Sequence, residues 1–209
     1  MSLALHPDAA IVLCGGRSER MGRDKAWLPF GDETMLARVV HVVRGVVPEV
    51  VLVAREGQEL PPAPDLRVVR DPAEGLGPLA GIAAGLGAVR AERAAVVACD
   101  VPFLRQELVR RLLDLAGAHG ACVPVVDGFP VPTCAVYRRE HGALAQALVA
   151  ERRLHPRDLL ERLDTRYVEA DELREADPDL ASFIDCNTPE RYASALRDAG
   201  LEVPPWVHQ

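Results

Sequence analysis

Asp100 follows the apolar run at residues 94–98, Ala-Ala-Val-Val-Ala, after the single residue Cys99. A carboxylate at the end of so apolar a run is a candidate ligand for a hard divalent cation. Such a cation takes one or two carboxylates and leaves its other positions to phosphate and water. A second chemical group lies far upstream. The segment Gly15-Gly16-Arg17-Ser18-Glu19-Arg20-Met21-Gly22-Arg23-Asp24-Lys25 follows another apolar run, residues 9–13. Its glycines admit close backbone approach, and successive amides in such a loop can form a concave anion site. Arg20 and Lys25 add full positive charge beside it, a combination that suits a polyphosphate. The spacing is neither G-x-x-x-x-G-K-[ST] nor G-x-G-x-x-G, the two common phosphate-binding fingerprints.

Two further groups are candidates. Asp71 is followed by a glycine-rich turn in which Gly77, Pro78 and Leu79 open a helix, a natural place for an anionic group. Asp71 itself either accepts hydrogen bonds from a ligand or forms a turn. Near the end of the chain, Asp185 and Asn187 stand two apart. On an extended backbone they share a face and reach one metal or substrate; alternatively they belong to the capped start of a helix at Pro189. Arg152, Arg153 and Arg157 form a basic cluster, either a solvated face or a dock for an anionic second substrate. His155 before Pro156 reads as a turn residue, and no G-x-S-x-G elbow occurs. The five cysteines, at 14, 99, 122, 134 and 186, make no C-x-x-C pair. They read as buried free thiols in a reducing compartment. Trp27 is expected to line a pocket; Trp206 has no assigned role.

The elements that must position these groups alternate along the chain. Strands buried on both faces are expected at 9–13, 49–54, 66–69 and 94–98, with further strands at 121–126, 133–137 and 182–184. Helices are expected at 34–44 (Thr34 as N-cap), 78–89, 105–116, 140–151, 156–163 and 189–199. The pattern is α/β, with a mostly parallel sheet covered on both sides. In such sheets ligands bind at the carboxyl ends of the strands, where Gly15, Asp71 and Asp100 fall. The chain of 209 residues reads as a single domain, with a core at about 9–199 and a loose tail at 200–209.

The net charge of −7 and an aromatic content of 4% argue against a nucleic-acid binder. No signal segment and no membrane-length apolar stretch is present, so the expectation is a cytoplasmic protein acting on a small molecule, as a monomer or weak homo-oligomer.

Taken together the motifs resemble one family, the molybdenum cofactor guanylyltransferases, within the nucleotidyltransferase fold. The likeness lies in L-x-G-G-x-S-x-R-M-G-x-D-K at 13–25, Asp71 before G-P-L-A-G at 77–81, C-D-x-P-x-L at 99–104, and F-x-x-x-N-T-P-E at 183–190. It spans about residues 9–199. The resemblance implies a three-layer α/β/α sandwich with a predominantly parallel sheet. It implies transfer of GMP from GTP to molybdopterin carrying molybdenum, with release of pyrophosphate. It places Leu13, Cys14 and Gly15 on the guanine nucleotide, with Gly16, Gly77, Pro78 and Leu79 around it. Lys25 and Asp71 help to bind GTP. Asp100 binds it and ligates Mg²⁺, and Lys25 and Arg20 stabilise charge on the phosphates. Asp185 and Asn187 orient the acceptor, and molybdoenzymes or their chaperones are implied as partners. Three positions depart from the family pattern: Cys14 where alanine is frequent, Val53-Ala54-Arg55 where some members carry a nucleotide-contacting asparagine, and Asp185 where many have asparagine. Transfer from CTP or to another phosphate acceptor remains the alternative, as does a non-catalytic GTP-binding module.

Overall fold

The computed structural model describes residues 8–16, 21–71 and 77–208. Its centre is β1 (Asp8–Leu13), every residue of which is buried. Successive side chains of a strand point to opposite faces. Accordingly, Ala10, Val12 and Cys14 enter one core and Ala9, Ile11 and Leu13 the other. The hairpin strands β2 (Pro29–Phe30) and β3 (Glu33–Thr34) lead into α1 (Met35–Arg44), capped by the Thr34 hydroxyl on the Ala37 N–H. Then come β4 (Glu49–Arg55), β5 (Arg67–Asp71), α2 (Pro78–Ala88), β6 (Arg93–Ala98) and α3 (Gln106–Ala116). The second half carries β7 (Ala121–Val126), β8 (Phe129–Pro130), β9 (Cys134–Arg138), α4 (Gly142–Ala150) and α5 (Pro156–Leu160). It ends with β10 (Thr165–Glu169), α6 (Ala170–Leu173) and α7 (Pro189–Asp198).

The main sheet runs β10-β7-β9-β6-β1-β4-β5, with β8 added to β7 as a hairpin. β1 pairs in parallel with β4 and β6, β4 with β5, and β7 with β10. Only β9 and β8 run against their neighbours. The sheet is therefore predominantly parallel, as expected from the doubly buried strands. One face packs on α1 and α3 and the other on α2, α4 and α5, which gives three layers. Burial of Leu108, Val109, Leu112 and Leu113 anchors α3, at about 1.5–3 kcal/mol for each side chain. Helix α2 lies close against the sheet. A Cβ on Gly85 would stand 2.4 Å from Ile11 Cγ2, so only glycine fits there.

Four expectations are corrected. Residues 66–69 form no buried strand: β5 is an exposed edge, and only Val69 among its apolar residues packs on the core. Residues 182–184 are no strand either. The Asp177 carboxylate accepts the N–H groups of Ala181 and Ser182 and winds the chain into a 3₁₀ turn at Ala181–Phe183. Strand β10 was missed because only Val168 of its residues is buried, which leaves little hydrophobic alternation. Finally, in the tail expected to be loose, Leu201, Val203, Trp206 and Val207 pack on the protein. Pro205–His208 forms a 3₁₀ turn and Val207 is buried. Trp206 stacks on Tyr192 at 5.8 Å, with the Arg23 guanidinium 4.3 Å from its ring centre. Trp206→Ala is expected to cost about 2 kcal/mol from lost aromatic and cation–π contact. For a chain of this size that lowers Tm by about 4–8 °C, readable by circular dichroism.

Candidate active site

At the carboxyl end of the parallel strands the polypeptide opens into a cleft of about 440 Å³. A strand end frees backbone amides and carbonyls from the ladder, and here they are re-used locally. Cys14 and Gly15 both donate to the Val53 carbonyl, at 2.8 and 3.2 Å, and Cys99 donates to Leu13 at 3.0 Å. Space is tight at Gly15: an added Cβ would stand 3.3 Å from the Arg55 nitrogen. Gly16 meets no such obstacle and borders open space. Gly77 takes φ +75°, and Pro78 begins α2 at its first turn. The start of that helix carries unpaired amides and positive dipole toward the cleft.

Lys25 stands on a 3₁₀ turn, Lys25–Trp27, whose N-cap is Asp24; the Asp24 carboxylate accepts the Ala26 N–H at 3.0 Å. From this turn the Lys25 ammonium reaches across the cleft. It donates to Asp100 Oδ2 at 2.8 Å and to the side-chain oxygen of Asn187. The Asp100 side chain is only 8% exposed, so its charge is matched by the ammonium rather than by bulk water. Two contacts hold the segment 100–102: the Asp100 carbonyl accepts the Cys186 N–H at 2.9 Å, and the Arg38 side chain of α1 donates to the Pro102 carbonyl at 2.6 Å. The first of these brings the late segment 185–187 to the strand ends.

Leu13, Cys14, Gly15, Gly16, Lys25, Asp71, Gly77, Pro78, Asp100, Asp185 and Asn187 all line this one cleft. Leu79 does not: its side chain is fully buried under the sheet, which leaves only its backbone amide at the helix start for a ligand. Arg20 lies outside the described residues. Asp185 and Asn187 do not sit on an extended strand. Asp185 accepts the Asn187 N–H at 3.2 Å and pairs with Arg191, so the two side chains leave a tight turn. Trp27 is nearly half exposed and lines no part of the cleft; its indole N–H binds the Glu59 carbonyl. Sequence reasoning missed Arg55, Thr133, Ser182 and Phe183 on the cleft wall. No spacing rule marks them: Arg55 ends β4, Ser182 and Phe183 sit on the 3₁₀ turn and Thr133 precedes β9, and long-range packing brings them together. Among the described residues, no three His, Cys, Asp or Glu side chains cluster as a metal cage, and no helix is long and apolar enough to cross a membrane.

Residues 10–167 match the family model of the MobA-like NTP transferase domain. The chain belongs to this family. It is 36% identical over 207 residues to the probable molybdenum cofactor guanylyltransferase of Methanosarcina mazei, covering 93% of this chain and 92% of the relative. It is 33% identical over 188 residues to the protein of the same name from Pelotomaculum thermopropionicum, covering 88% and 90%. Among solved structures it shares its fold with the molybdopterin-guanine dinucleotide biosynthesis protein A of Archaeoglobus fulgidus. That match has a TM-score of 0.78 and 24% identity, over 92% of this chain and 98% of that one.

In this MobA-like transferase the cleft is floored by thiols. Cys14, Cys99 and Cys134 line it, and all five cysteines are buried. A hydrogen bond with Cys14, and then burial, holds the Cys99 thiol well above its ordinary value. Burial pushes Cys134 and Cys186 up to about 12. At neutral pH these groups are protonated, apolar packing units rather than nucleophiles.

Proposed function

We infer that this MobA-like transferase moves GMP from GTP to molybdopterin carrying molybdenum, forming the guanine dinucleotide form of the cofactor and releasing pyrophosphate. The observation that carries the reading is the Lys25 ammonium held between Asp100 and Asn187 inside the cleft of a chain whose relatives bear the guanylyltransferase name. In the reaction an oxygen of the acceptor's phosphate attacks the α-phosphorus of GTP. The new P–O bond forms as the bond to the β-phosphate bridging oxygen breaks, and that oxygen leaves with its electron pair as part of pyrophosphate. The attacking oxygen is already anionic, so no strong general base is needed. Catalysis is positioning and charge stabilisation.

Each residue then has a task. Leu13, Cys14 and Gly15 contact the guanine nucleotide, and Gly16 borders it. Asp71 accepts from the nucleoside. Gly77, Pro78 and the Leu79 amide face it from the helix start. Lys25 and Arg20 neutralise the phosphates as charge moves onto the leaving group. Asp185 and Asn187 orient the acceptor. The reaction takes a divalent cation, which we assign as Mg²⁺. The donor set fits it: the Asp100 carboxylate stands at the strand end, and among the described residues it joins no cage of three acids, which suits an ion that keeps its waters and is completed by phosphates. Asp100 would hold it, and when bound it lowers the electrostatic cost of charge building on the phosphates.

The test is incubation with Mg²⁺, molybdenum-loaded molybdopterin and α-labelled GTP or CTP in parallel. Label is expected on the pterin from GTP only. Transfer from CTP would keep the mechanism and overturn the base assignment. No transfer from either, with the cofactor verified intact, would point to another acceptor or to a nucleotide-binding module.

A further inference from the structure

Gln58 is a glutamine in a turn, with no reactive chemistry of its own, yet it is 2% exposed. The turn follows β4, with Gly57 at φ +70° and the Gln58 N–H on the Arg55 carbonyl at 3.2 Å. Arg70 of β5 clamps it from outside, donating to the carbonyls of Arg55 at 3.2 Å and Gln58 at 2.7 Å. The buried amide is fully used. Its oxygen accepts the Arg55 N–H at 3.1 Å, and its nitrogen donates to the Cys14 carbonyl at 3.1 Å and to Asp24 Oδ2 at 2.8 Å. A backbone donor on one side and a backbone acceptor on the other leave only one orientation of the amide.

These partners lie near the two ends of the signature segment. Cys14 stands at its start, by the strand end. Asp24 stands just before its last residue, and its second oxygen caps the turn that carries Lys25. The same turn grips that 3₁₀ helix again at its far end, where the Trp27 indole N–H donates to the Glu59 carbonyl at 3.0 Å. Lys25 is therefore mounted on a piece of chain fastened at both ends to residues 58–59. From that mount its ammonium meets Asp100 and Asn187.

We propose that Gln58 is a positioning residue for the transfer, fixing through the Cys14 carbonyl and the Asp24 carboxylate where the Lys25 ammonium stands in the cleft. The inference rests on the guanylyl-transfer reading, which supplies the rate to be measured. A displacement of about 1 Å in such a group costs on the order of 100-fold in rate. Gln58→Met keeps the side chain's length and loses all three hydrogen bonds. Gln58→Glu keeps the acceptor for Arg55 and loses both donations.

The experiment measures GMP transfer at saturating acceptor, with kcat and the GTP KM resolved, for both variants, for Lys25→Ala and for the double variants. Either Gln58 change is expected to lower kcat by roughly 30- to 100-fold and to move KM by less than about 3-fold. In the Lys25→Ala background the same change is expected to cost almost nothing, because its effect passes through the missing ammonium. A merely structural role would give equal losses in both backgrounds. A second readout needs no acceptor. In a Trp206→Phe background Trp27 is the sole tryptophan, and its emission is expected to shift when Gln58 is changed and the turn loosens. A wild-type kcat in both Gln58 variants, or additive losses with Lys25→Ala, overturns the proposal. If the unaltered protein transfers no label at all, the function reading fails instead. The Trp27 spectrum then decides this one, an unchanged emission in both variants overturning it.

Discussion

Lys25→Ala is expected to lower kcat/KM for GMP transfer by about 10³-fold, the usual scale for removing a charged group that faces a phosphoryl or oxyanion transition state. The expectation rests on geometry. The ammonium is held by Asp100, from the middle of the chain, and Asn187, from near its end, and it faces the cleft rather than bulk water. Its positive charge is therefore little screened where the pyrophosphate must gather negative charge. Removing it leaves the Asp100 carboxylate without its partner. The cleft admits water, so the folding cost is expected to stay near 1–2 kcal/mol, below the range for fully buried pairs. That corresponds to a Tm lower by about 2–8 °C. The two readouts separate cleanly: a labelled-GTP transfer assay and a melting curve. Near-normal turnover in a folded Lys25→Ala protein would remove Lys25 from the chemistry.

The second large effect belongs to Asp100. Asp100→Asn preserves shape and removes one negative charge at the end of β6. Turnover is expected to fall by 10³-fold or more, and the residual activity is expected to lose most of its dependence on Mg²⁺. Stability should move by less than about 1 kcal/mol, since the carboxylate's own desolvation is relieved as its contact with Lys25 weakens. Titrating Mg²⁺ in the transfer assay, with GTP binding followed by calorimetry, checks both halves. Retention of a normal Mg²⁺ response by the variant would overturn the metal assignment. Lys25 and Asp100 are in contact, so their losses should not add: the double variant should be scarcely worse than the poorer single one.

The strands and helices that carry these residues were legible because their signals are local. The apolar runs at 9–13 and 94–98 admit no other burial than the middle of a sheet, and β1 and β6 are there. Thr34 and Thr188 cap the helices that follow them, as their positions suggest. The reach of Lys25 to Asp100 and Asn187 was not legible, although each residue was singled out. Their meeting depends on the Cys186–Asp100 backbone contact, which joins segments far apart in sequence. The turn at 181–183 was misread for a related reason. Its conformation is dictated by Asp177, a buried acid that looks in sequence like any surface aspartate. Gln58 gives no sequence signal at all. A glutamine between Gly57 and Glu59 has the composition of a solvated loop, and only the packing of β4, β5 and the signature segment shows its amide to be enclosed.

The contact between Lys25 and Asn187 spans 162 residues. On the ribosome, at about 5–20 residues per second, roughly 8–30 s pass between the synthesis of the first residue and that of the second. Through that interval the nascent chain can hold β1 between β4 and β6, yet the lysine has only one of its two partners. Prematurely terminated products lacking the last few dozen residues would therefore keep the sheet's centre and lack the Asn187 partner of Lys25. With the proposed roles, such truncated chains are expected to transfer little or no GMP, so activity is expected only when translation is nearly finished.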